Sequence, residues 1–167
     1  MVTPALNRRA LLAGLAALGV APSALLANAP VTLSWADLLP EGQPMVPPAL
    51  PELIRHDGPD MSRQQPPSLG VRTEWNGKSV RMPGFVVPID QSGTGITAFI
   101  LVPFVGACVH VPPPPANQLV FVTTQTPYES GGLFEAVTVT GTFGTVSTFT
   151  ELADVAYALS ADQIEPF

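Results

Sequence analysis

The sequence predicts an all-β fold: a small five-stranded OB-like Greek-key barrel reached by an extended proline-rich arm, with a small β-sandwich as the alternative. Three observations carry that expectation. Only 12% of the 167 residues are charged, while 14 are Gly and 20 are Pro, a composition of turns and extended segments rather than of long helices. Five runs from residue 79 onward either alternate apolar with polar side chains or are apolar throughout, as half-buried and buried strands do. Closure into a barrel then removes the edges that such apolar strands would expose.

Residues 1–29 read as an export signal. The segment Asn7-Arg8-Arg9-Ala10-Leu11-Leu12 places paired arginines ahead of the uncharged run Leu11–Leu26, and Ala27-Asn28-Ala29 has the small-x-small form of a cleavage site. The pattern resembles the twin-arginine type, with cleavage after Ala27 or Ala29. At 16 residues, the run falls short of the roughly 20 that a membrane-crossing helix needs. A periplasmic or exported location is expected, with membrane attachment only through an uncleaved signal segment.

Residues 30–73 form the Pro-rich arm, lying on the core or partly disordered. Within it, Ser34 can cap one helical turn that packs Trp35 and Leu38 or Leu39 on the domain. Residues 74–167 form the barrel. In residues 79–90, Val80 and Met82 share a face, Pro83-Gly84 interrupts the phase as a bulge or sharp bend would, and Phe85, Val87 and Ile89 resume it. The run AFILVP at 98–103 suits a buried strand, and QLVFVTT at 118–124 puts Leu119 and Phe121 on one face. Residues 136–144 alternate cleanly, Val137, Val139, Gly141 and Phe143 against Thr138, Thr140 and Thr142. After a turn, residues 156–165 supply the fifth strand with Tyr157 and Leu159.

Charge excludes one class of partner. Removing residues 1–29 takes Arg8 and Arg9 and no acids, so seven basic side chains become five against 13 acidic ones, and the net charge moves from −6 to −8. Such a surface repels phosphate backbones, so nucleic acid is not an expected ligand. Cys108 is the single cysteine and has no partner in the chain for a disulfide.

The run GACVHVPPPPANQ, residues 106–118, concentrates what chemistry the sequence offers. If Val109 is extended, Cys108 and His110 point to the same face, and a thiolate with an imidazole supplies two ligands of a zinc or copper(I) site. His56 and Asp57 are the candidates to complete that set, with Asp60, Asp90 and Glu129 behind them. A second reading makes Cys108 a nucleophile with His110 as its base, although no orienting third residue is evident. A third makes Cys108 a small buried apolar residue. Pro112, Pro113, Pro114 and Pro115 lock a polyproline II rod that, with Asn117, offers a partner-binding element, and Asn117 and Gln118 can satisfy backbone groups as the chain re-enters the sheet.

The runs GKSVRMPGFVVPI, FILVPFVGACVHVPPPPANQ, and VTGTFG followed by YALSADQIEPF resemble a bacterial family of small exported proteins and lipoproteins classed as a domain of unknown function. The resemblance covers roughly residues 74–167. It implies an accessory protein of the cell envelope, in some cases beside an export-type transporter, and supplies no reaction. This chain lacks the cysteine that anchors the lipidated members. The combined expectation is a periplasmic, non-enzymatic binding or accessory module that handles zinc or copper through Cys108 and His110. A thiol-dependent enzyme and a purely structural partner in an envelope complex are the alternatives.

Overall fold

The computed structural model describes residues 29–43, 45, 65–108 and 113–167. Six strands form one sheet: β1 (Val31–Thr32), β2 (Ser79–Ser92), β3 (Gly95–Val102), β4 (Val120–Tyr128), β5 (Ala136–Phe149) and β6 (Asp154–Pro166). The order is β1-β2-β3-β4-β6-β5, and a further β2–β5 pairing closes β2 to β6 into a five-stranded barrel. All ladders of the barrel are antiparallel except β4–β6, which is parallel. This is the small OB-like barrel. No α-helix occurs among the described residues, only short 3-10 turns.

Alternation explains the interior. Val80, Met82 and Val86 of β2, Phe99 and Leu101 of β3, Val120 and Val122 of β4, Val137, Val139 and Phe143 of β5, and Tyr157 and Leu159 of β6 all enter one core. The inward phase of β2 therefore runs unbroken through Pro83-Gly84, and the expected bulge there is absent: Met82, Pro83 and Gly84 pair without a shift to Val139, Thr138 and Val137. The irregularity instead lies around Asp90. The sequence appeared to change phase because Phe85 and Val87 face outward into a second apolar cluster. β2 does change partners at Phe85, which pairs with both Ala136 of β5 and Val102 of β3, and one long strand thereby serves two sides of the barrel.

The arm enters the core. Ser34 precedes a 3-10 helix, Trp35–Leu38, and both its N–H (2.7 Å) and its Oγ (2.6 Å) donate to Asp37 Oδ2. These bonds, Ser34 Oγ first, hold the Asp37 carboxyl below the usual carboxylate range. Leu33, Trp35 and Leu38 lie in the same core as the strands. Tyr157 secures the junction by donating to Leu38 O at 2.8 Å and accepting from Arg72 N–H at 2.7 Å. β1 pairs in parallel with Val80–Arg81, along the edge of β2 that β3 does not reach.

Candidate functional site

β3, β4 and β6 together decide where the Cys108 segment can lie. Because β4 and β6 run parallel, the segment from β3 to β4, the β5–β6 turn at 150–153 and the inserted Trp35 helix all gather at one end of the barrel. Outside the strands at that end, Val87, Ile100, Val102, Leu119 and Val155 make the second apolar cluster, and Ala107 and Cys108 close upon it. β3 is apolar from Ala98 to Val102, where both of its faces are covered. Half-buried Phe85, Phe104, Phe121 and Phe134 surround this cluster.

Cys108 has left-handed backbone, φ +67, two residues after Gly106 at φ +94. It is a turn residue, and Val109, on whose extended backbone the expected Cys-x-His geometry rests, lies outside the described residues. A side chain on left-handed backbone costs about 1–2 kcal/mol, and apolar packing is what opposes the cost at Cys108. The side chain is 3% exposed, and burial pushes its thiol from the ordinary 9.0 up to about 12. At neutral pH the group is a protonated thiol packed among apolar side chains.

Two outcomes follow. Iodoacetamide should leave Cys108 unmodified in the native protein and label it in denaturant, and rapid native labelling would remove the packing role. Stability should also fall between about pH 9 and about pH 12, because the unfolded chain gives up the thiol proton near 9.0 while the folded chain keeps it to about 12. Burial also raises the Tyr128 hydroxyl to about 12 and lifts that of Tyr157, so both act in the same direction. The stability difference between wild type and Cys108→Ala should therefore shrink as pH rises through that window, as read by urea denaturation.

Of the other candidates, His56, Asp57, Asp60, His110 and Pro112 lie outside the described residues, as do residues 1–28 of the expected export signal. Asp90 accepts from Gln91 N–H at 2.8 Å, and Glu129 accepts from Thr94 Oγ at 2.9 Å, near the β2–β3 turn. Cys108 follows the opposite end of β3, whose eight residues span about 25 Å at the usual rise. Among the described residues, no three His, Cys, Asp or Glu side chains converge as a metal-binding group.

The proline segment is held inward. Pro113 and Pro114 are buried and Pro115 is half-buried. Gln65 ties the segment to β6, donating from Nε2 to Pro114 O (2.8 Å) and Asp154 O (2.9 Å) while its Oε1 accepts from Asp154 N–H (2.8 Å). Asn117 is 1% exposed and donates to Gly70 O, and Gln118 donates to Trp35 O. Both amides thus satisfy backbone carbonyls of the arm. Two large apolar side chains face solvent at this end beside the exposed acids Glu151 and Asp154: Val105 is 63% exposed and Phe149 is 77% exposed. Sequence reasoning passed over both, although Phe149, flanked by Thr148 and Thr150, stands beyond the point where the alternation of β5 was thought to stop.

A family described as a protein of unknown function (DUF3299) matches residues 35–166. The chain belongs to the DUF3299 family. That span begins at Trp35, so it includes the arm residues that enter the core. The crystal structure of a DUF3299 family protein from Pseudomonas aeruginosa PAO1 is similar to this chain at 36% sequence identity and a TM-score of 0.73, covering 83% of this chain and 97% of that one. No curated protein matches the sequence.

Proposed function

We propose that this DUF3299 protein is an exported, non-enzymatic binding or accessory module of the cell envelope, carried across the membrane by the twin-arginine route, with a protein partner at the Cys108 end of the barrel. Cys108 seats the loop, and the exposed rim meets the partner. The observation that carries this reading is the pairing of two anchored loop ends with two exposed apolar side chains. Ala107 and Cys108 are buried in the outer cluster and Gln65 bridges the proline segment to β6, while Val105 and Phe149 remain open to solvent. An apolar rim on a fixed frame loses little conformational freedom on binding, which is what an interface anchor requires. The net charge favours a protein partner over nucleic acid.

Site-specific photo-crosslinking in the periplasmic fraction tests the reading. A crosslinking residue at Val105 or Phe149 should give a discrete adduct, and one at exposed Gln91, toward the other end of β3, should give none. Val105→Ser with Phe149→Ser should leave stability within about 0.5 kcal/mol, because both side chains are exposed. Absence of an adduct from both rim positions would sink the proposal.

A further inference from the structure

The barrel is not closed along its whole height. The parallel β4–β6 ladder runs from Val120↔Tyr157 to Thr124↔Ala161 and stops there. Beyond it, β4 turns aside: its pairing with β3 jumps from Ala98↔Thr123 to Ile96↔Tyr128, so residues 124–127 bulge against a single residue of β3. Thr124 Oγ donates to Thr126 O at 2.9 Å within the bulge, and Pro127 settles over Gly95, where a β-carbon would come within 2.5 Å of the proline ring. β6 meanwhile continues to Pro166, paired only with β5. The result is a seam with Gln125–Tyr128 on one lip and Asp162–Pro166 on the other, at the end of the barrel away from Cys108.

The β6 lip is an edge with free backbone groups. Phe167 N–H donates to Ala136 O, and Glu165 and Gln163 share its phase, so they face β5 across the pairs Thr138↔Glu165 and Thr140↔Gln163. Ile164 N–H, Ile164 C=O and Pro166 C=O therefore point into the seam. Tyr128 and Ile164 are half-buried against the core at the two lips, so a strand laid between them would add alternate side chains to that apolar layer.

We infer that this seam binds an extended segment of a partner by strand addition, and that the segment alternates apolar with basic residues. Charge selects the occupant. From residue 82 to 167 the chain carries seven acids, Asp90, Glu129, Glu135, Glu151, Asp154, Asp162 and Glu165, and no lysine or arginine. Asp162 is exposed and sits at the irregularity between Gly141↔Ala161 and Thr140↔Gln163, and Glu165 has only the exposed Arg81 beside it at 3.4 Å. A second copy is disfavoured, since β6 laid on β6 would bring Asp162 and Glu165 of both chains onto one ribbon. These charges, with Pro166, guard the edge against self-pairing and leave it open to a basic strand.

Fluorescence anisotropy with two labelled eight-residue peptides tests this on the full chain, one alternating lysine with valine and the other glutamate with valine. The lysine peptide should bind saturably, more weakly as salt rises, and the glutamate peptide should not bind. Ile164→Pro removes the one outward N–H without changing charge, and an edge position tolerates proline, so binding should fall by about tenfold or more while circular dichroism stays native. Asp162→Lys provides the same test through charge should the proline variant not fold. Failure of the lysine peptide to bind, equal binding of the two peptides, or unchanged binding by folded Ile164→Pro would each overturn the inference. None of these results bears on the Cys108 end.

Discussion

Gly141→Ala should destabilise the barrel by about 3 kcal/mol or more, a large share of the stability a small domain commands. A β-carbon built at Gly141 lies 2.1 Å from Ser160 O and 2.8 Å from Ala161 Cα, both backbone atoms of the neighbouring strand. No rotamer change relieves that overlap, so β6 must move away from β5 just where the two strands step through the irregularity beside Asp162. Strand propensity predicts the opposite sign, because glycine within a strand is worse than alanine by about 0.5–1 kcal/mol. Gly144 supplies the control. It lies on the same strand with nothing within 4 Å of its β-carbon position, so Gly144→Ala should be neutral or slightly stabilising. Equal urea midpoints for the two variants would show that the close approach at Gly141 does not constrain the pairing.

Gly141 also marks how far periodicity carries. The alternation Val137, Val139, Gly141, Phe143 was legible because β5 has one face in the core and the other mostly outside it. It could not reveal that the position must lack a side chain, since that follows from Ser160, a contact made only after folding. β2 misled for a related reason: Phe85 and Val87 are outward, yet the second cluster covers them, and a sequence pattern reports apolar faces without saying what lies over them. The OB-like barrel was readable from five strand runs and the continuous apolar character of the second. β1, the bulge at 124–127 and the seam were not, because a two-residue parallel bridge and a ladder that ends early leave no composition signal.

The site was legible in part. Cys108 stood out as the single cysteine, and its burial was among the readings open to it, but its left-handed backbone had only Gly106 nearby as a hint. Asn117 and Gln118 were expected to satisfy backbone groups, and they do, although their acceptors, Gly70 O and Trp35 O, belong to the distant arm. Val105 and Phe149 carried no signal at all in isolation, since a single exposed apolar side chain is ordinary.

Trp35→Ala should cost about 3–5 kcal/mol, the usual range for removing a large aromatic from a core. The indole is 8% exposed, and its Nε1 donates to Pro83 O at 2.9 Å. It also lies against the backbone at Gly84, where a β-carbon would come within 3.0 Å of Trp35 Cζ2 and 2.6 Å of Leu101 Cγ. The absent side chain of Gly84 makes the slot that Trp35 fills, so the arm and strand β2 are shaped to one another. Trp35→Phe separates packing from polarity. It retains most of the ring and leaves Pro83 O without its donor, for which about 1–2 kcal/mol is expected. A chain starting at residue 74 should lose at least as much stability as Trp35→Ala, because it also gives up Leu33, Leu38 and the Arg72 and Leu38 bonds to the Tyr157 hydroxyl. Should Trp35→Ala cost less than about 1 kcal/mol, the arm would be a passenger on a barrel able to stand without it.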